Sequence, residues 1–193
     1  FISFDEMINK RKQEAKKSMV VQVNSEKSYP ELYNYCSQFG TIETAFHYKV
    51  KDEQLHFILL EYDSVAGCEE ALKKCTFNQE KPGVPVSSPF TWFKATKSSK
   101  RVPVMKDFPK LKEEETRAID EAELFDILSS AENMNDQIFI LYRLTKLNDI
   151  GSRLRYMAGR QLEMAISGMF PNAQACLFGS SVNGFGKKGC DVD

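Results

Sequence analysis

Residues Leu55–Leu72, LHFILLEYDSVAGCEEAL, decide the fold. Leu55 to Tyr62 is a nearly unbroken apolar run of strand length. Ser64 to Lys74 then reads as a helix, capped by Asp63 or Ser64 and turning Ala71 and Leu72 inward. Upstream, Thr41 to Val50 is a second strand, separated from Leu55 by a turn at Lys51-Asp52-Glu53. Pro30 to Gln38 is a helix with Leu32, Tyr35 and Phe39 on one side and Gly40 as its stop. Met19 to Val23 is a strand, and Pro89 to Ala95 is a last strand holding Trp92 and Phe93. The order over residues 19–97 is βαββαβ, an α+β pattern.

Three segments flank this unit. Residues 1–18 form an N-terminal helix or arm, with Met7, Ile8 and Arg11 on one stripe and a lysine-rich run behind them. Residues 98–112 form a polar, basic linker broken by Pro103 and Pro109. From 113 the pattern is helical. Its longest helix is expected to be capped by Asp149 or Ser152. Its apolar face is expected to run Leu154, Met157, Ala158, Leu162, Ala165 and Met169, with Arg153, Arg155 and Arg160 off the stripe. Gly168 and Pro171 end it.

Composition narrows the classes. Across 193 residues, 42% are hydrophobic and 27% charged, which argues against wholesale disorder. No stretch approaches the roughly 18 apolar residues of a spanning helix, so no membrane partner is expected. A net charge of −1 leaves nucleic-acid contact to local basic patches. The five cysteines have irregular spacing and no C-x-x-C, and His47 and His56 are the only histidines. That inventory speaks against a structural zinc site and for buried thiols in a reducing compartment. A chain opening on Phe1 is expected to have been trimmed at its front.

The chemistry lies in residues 173–193. Ala173 to Phe178 reads as a short apolar strand running into Gly179-Ser180-Ser181, a glycine-punctuated spacer, and Asp191-Val192-Asp193. A glycine after a strand lets the backbone approach a phosphate, and the following N–H groups and hydroxyls can bind its oxygens. Carboxylates at i and i+2 of a strand share one face, whereas Val192 would point into the core. Such a pair repels itself until a divalent cation intervenes, and hard oxygen donors suit Mg2+ or Mn2+.

Two resemblances follow from these residues. The βαββαβ order, with Phe39-Gly40 closing the first helix and the Glu61-to-Leu72 run after the third strand, resembles an RNA-recognition motif. Its base-stacking positions fall on Val21, Phe57 and Leu59, a ring-poor set suited to a protein-facing sheet, self-association included. The Gly-Ser plus Asp-hydrophobic-Asp pattern is that of the DNA polymerase beta-like nucleotidyltransferase superfamily. Phe178–Asp193 resembles its poly(A) and poly(U) polymerases. Leu147–Arg155 with the domain ahead of it resembles their mitochondrial members.

The resemblance implies an α+β chain: an RNA-recognition-motif-like domain, helices and the start of a nucleotidyltransferase palm. It implies transfer of AMP from ATP to RNA 3′ ends, with Asp191 and Asp193 as catalytic metal ligands for Mg2+ or Mn2+. Gly179, Ser180 and Ser181 would bind the nucleotide. It further implies a homodimer through the RNA-recognition-motif-like domain and a place in the mitochondrial matrix. The family's third carboxylate and base-selecting helical domain are not among the 193 residues, which are expected not to polymerise alone. Two alternatives stay open: a uridylyl- or other terminal nucleotidyltransferase, and a non-catalytic dimerisation or RNA-binding adaptor.

Overall fold

A computed structural model describes residues 3–50, 54–75, 88–93, 108–114 and 116–193. The apolar run at the centre of the sequence becomes the centre of a mixed sheet. Its strands are β1 (Ser18–Val23), β2 (Ile42–Val50), β3 (Leu55–Tyr62), β4 (Phe90–Trp92) and β5 (Leu111–Glu113), in the order β4-β1-β3-β2-β5. β3 lies antiparallel to both β1 and β2. The expected Lys51-Asp52-Glu53 turn and most of the expected linker, residues 98–107, lie outside the described residues.

The edges depart from expectation. Leu111–Glu113 were read as linker and start of the helical part, yet they pair in parallel with Ala45–His47 of β2. β4 runs parallel to β1, and therefore opposite to β3. A βαβ crossover from β3 would deliver a strand parallel to β3. The βαββαβ order thus survives in sequence, but its last strand is reversed.

Period-two alternation sorts the sheet into two buried faces. Met19, Val21, Val23, Ala45, Ile58 and Leu60 pack with α2 (Tyr29–Cys36) and α3 (Val65–Cys75). Val20, Phe46, Tyr48 and Leu59 pack with Ala15 of α1 (Phe4–Lys16) and with Ile150, Tyr156 and Met157 of α6 (Asp149–Ile166). Ahead of α6 in sequence, α4 (Glu121–Ser129) and α5 (Met134–Thr145) form a helical pair with no buried residue.

This sorting corrects the stacking assignment. Residues paired across an antiparallel ladder share a face, and Val21 pairs with Ile58 whereas Val20 pairs with Leu59. Val21 therefore lies opposite Phe57 and Leu59. Leu59 is buried under the protein's own α6, so it offers nothing to a second copy.

Helix phases differ as well. α2 buries Tyr29, Leu32, Tyr33 and Cys36, the i, i+3, i+4, i+7 set, and leaves Tyr35 exposed. α6 is capped by Asn148, whose side chain accepts from the Gly151 N–H, and not by Asp149 or Ser152. Its buried positions are Ile150, Arg155, Tyr156, Met157 and Gly159, whereas Leu162 and Met169 are exposed. The cysteines are all free thiols: Cys36 and Cys68 are buried, Cys75 and Cys190 half-buried, and Cys176 exposed.

Charges clamp α6 in place. Arg153 reaches Glu61 of β3 at 2.7 Å and Asp149 at 2.9 Å, and its guanidinium lies over the Phe46 ring. Arg11 of α1 holds Asp149 at 2.7 Å and Glu14 at 2.8 Å. Arg160 donates to the carbonyls of Ala15 and Ser18, capping the end of α1. Burial alone would raise the Asp149 carboxyl, but Arg153 and Arg11 outweigh it and hold the group below its usual value.

Two stability outcomes follow. Met157→Ala should lower the unfolding free energy by about 2–5 kcal/mol in urea titration, since Met157 is buried between α6 and the sheet. Because its folded pKa is depressed, Asp149 contributes stability above its unfolded pKa that is lost as pH falls through the lowered value. Asp149→Asn should therefore flatten the acid limb of the stability–pH curve and leave the alkaline limb unchanged.

Candidate active site

The site grows from the turn after residues 173–178. That segment was expected as a strand, but it is extended without a ladder. One backbone bond, from the Phe178 N–H to the Asp193 carbonyl at 3.2 Å, ties it to the 191–193 segment. Gly179 then takes φ +60°, and Gly179–Ser181 form a single 3-10 turn. The left-handed backbone suits glycine, and an added Cβ would stand 3.2 Å from the Asp193 Oδ2. At Gly186 a Cβ would stand 2.6 Å from the Ser180 carbonyl, so the spacer folds back tightly on the turn.

Asp193 thus places its carboxylate over Gly179 at the start of the Gly-Ser turn. Asp191 and Asp193 are both exposed, and among the described residues neither forms an ion pair. Val192 is 50% exposed and Phe178 66% exposed.

The residue that assembles this site was read as lying off the helical stripe. Arg155 of α6 is buried and donates from Nη1 to the Ser181 Oγ at 2.8 Å and to the Asp191 carbonyl at 2.7 Å. From Nη2 it donates to the Cys190 carbonyl at 2.8 Å and to the Cys190 sulfur. One guanidinium therefore bolts the Gly-Ser turn to the aspartate segment. A planar fork with several donors suits this task, and lysine does not supply it. The signal available in the sequence was an arginine one residue from the apolar stripe of a long helix.

Ser181 lies on the Arg155 side of the turn. It is 6% exposed and its hydroxyl is Arg155's partner, so it anchors the turn from beneath. Ser180 is half-buried, and its Oγ lies 3.8 Å from the Cys190 sulfur. Burial would raise the Cys190 thiol, but contacts with Lys187, Ser180 and Arg155 bring it below its ordinary value. The spacer is held on its other side by backbone bonds, Leu147 N–H to the Gly186 carbonyl and Lys188 N–H to the Thr145 carbonyl.

Residues 134–193 match the family model described as poly(A) RNA polymerase, mitochondrial-like, central palm domain. The chain is 48% identical to the Drosophila melanogaster mitochondrial poly(A) RNA polymerase over 99% of its own length. This chain is similar in sequence to the mitochondrial poly(A) RNA polymerases over the region they share. The Homo sapiens enzyme of that name is 28% identical over 98% of the chain. The chain spans about a third of these relatives, 32% and 31% of their lengths. The apo crystal structure of mtPAP matches with a TM-score of 0.80 at 26% identity, covering 98% of this chain and 40% of that one. The mtPAP complex with ATPgammaS matches with the same values. The α+β fold read from the sequence is therefore that of mtPAP over the region shared.

Arg155→Lys should lower the unfolding free energy by about 2 kcal/mol, because the buried Ser181 hydroxyl and the part-buried carbonyls of Cys190 and Asp191 lose donors. It should also speed proteolysis within 179–190. Arg153→Lys, which leaves the turn alone, should not speed that cleavage.

Proposed function

We propose that the protein adds AMP from ATP to RNA 3′ ends, a template-independent adenylyl transfer. The observation that carries this reading is Arg155 holding the Gly-Ser turn against Asp191 and Asp193, with the Asp193 carboxylate over Gly179. Relatives named poly(A) RNA polymerase support it.

In this reading Gly179 lets the triphosphate approach the backbone, and the Ser180 hydroxyl donates to a phosphate oxygen. Ser181 keeps the turn in register through Arg155. Asp191 and Asp193 would hold Mg2+ or Mn2+, as a pair of ions. The fit rests on two exposed carboxylates, one residue apart, that no cation of the described chain neutralises. When bound, the ions would supply charge neutralisation at the triphosphate and a more acidic RNA 3′-hydroxyl. The chain's own contribution is to orient the two substrates and to leave the two carboxylates without an ion-pair partner among the described residues.

The division at residues 18, 97 and 112, with the palm from 113, belongs to this proposal, as does a mitochondrial matrix location. So does a homodimer through the RNA-recognition-motif-like domain. Val21 and Leu59 are excluded from such an interface by their burial. The outer strand β4, with Trp92 66% exposed, supports the domain's edge as the contact.

One observation favours keeping a second nucleotide choice in view. The matched mtPAP structures include a complex with UTP as well as the ATP analogue. Competing ATP against UTP on an RNA primer decides between adenylyl and uridylyl transfer.

In the full polypeptide, Asp191→Ala and Asp193→Ala should each reduce AMP incorporation by at least about a hundredfold with unchanged thermal unfolding, read on primer gels. Wild-type rates in both variants would remove the assignment and leave the adaptor reading in its place.

A further inference from the structure

The opposite side of the sheet holds a cluster that the transferase reading does not use. His47 of β2 and His56 of β3 both project toward the α2 face, since His47 pairs with Ile58 and His56 lies two residues before it. The His47 Nε2 and the His56 Nδ1 stand 3.0 Å apart, with the rings nearly parallel. The Glu26 Oε2, on the 3-10 turn Glu26–Ser28 that leads into α2, lies 3.8 Å from the same His56 Nδ1. One donor atom from each of the three residues falls within 4.8 Å of the other two.

We propose that Glu26, His47 and His56 form a three-ligand zinc-binding site joining the turn before α2 to strands β2 and β3. Two imidazole nitrogens and one carboxylate oxygen are the donors that Zn2+ takes, and three ligands leave a fourth position for water. Tetrahedral Zn–N bonds near 2.05 Å place two ligand nitrogens about 3.3 Å apart. The observed 3.0 Å needs only a few tenths of an ångström of opening. The carboxylate at 3.8 Å is too far for a hydrogen bond to the ring and needs only slight closure to become a ligand. His47 is 4% exposed, so its nitrogen is aimed at this spot by packing and not by solvent. Glu113, paired with His47 across β2 and β5, adds negative charge, whereas Lys49 opposes the ion. Cysteine counting missed the site because its ligands are nine and twenty-one residues apart and meet only through sheet register.

The test is zinc titration of chelator-stripped full polypeptide against a chromophoric competitor, with thermal unfolding and Co2+ absorption alongside. One equivalent should bind, raise the unfolding temperature and give tetrahedral Co2+ bands without thiolate charge transfer. Glu26→Gln and His56→Gln, both partly exposed positions, should each weaken binding at least about tenfold and abolish the thermal shift. The Asp191→Asn, Asp193→Asn double variant should bind this zinc as the wild type does. No saturable binding, thiolate bands in the Co2+ spectrum, or binding lost only in the aspartate double variant would each overturn the proposal.

Discussion

A helix required to bury one side under a sheet and another under a loop has almost no rotational freedom. α6 is such a helix. Ile150 and Met157 fill the sheet face of Val20, Phe46 and Leu59. Half a turn away, Arg155 grips Ser181 and the carbonyls of Cys190 and Asp191. Arg153 ties the same helix to Glu61, and Arg160 ties it to the end of α1. Sheet, N-terminal helix and candidate active site are thus all referred to one rod. A displacement of that rod moves the Gly-Ser turn with it.

This arrangement decides what the sheet can do. An RNA-recognition fold reads single strands on the sheet face its own helices leave open. Here that face is filled from within the chain by α1 and α6, so base stacking on Phe46 or Leu59 is sterically closed. The sheet face instead backs α1 and α6.

Legibility in the sequence followed physical signal strength. β2, β3 and α3 were visible because long apolar runs and a capped helix leave strong local patterns. The facing of β1 was not. Met19-Val20-Val21 is buried on both sides, and a continuous apolar run carries no alternation from which to assign parity. α6 was found, and its expected stripe included the buried Met157, but it also took in Leu162 and Met169, which are exposed, while Arg155 was passed over. A helix buried on two sides has no single polar face to calibrate the stripe. β5 is three residues long and is held by tertiary pairing, which leaves no periodic signature. At the candidate site the motif residues were legible as chemistry, whereas their spatial anchor, an arginine from a helix 36 residues earlier, was not.

Arg155 shows why a positive charge was used as that anchor. A buried guanidinium ordinarily takes a carboxylate partner, because an unpaired buried charge is strongly destabilising. Asp191 and Asp193 are the nearest candidates in sequence to the groups it holds, yet it binds the Asp191 carbonyl and not the side chain. Backbone carbonyls, a hydroxyl and a thiol satisfy its donors instead. The Asp191 main chain is therefore held by an arginine that forms no ion pair with its side chain, and the Asp193 main chain is held by the Phe178 N–H. Had Arg155 paired with either one, the turn would be as well fixed, but the acidic pair would have spent its charge on the protein. Holding the main chain fixes the geometry and leaves the side-chain charge free for a cation.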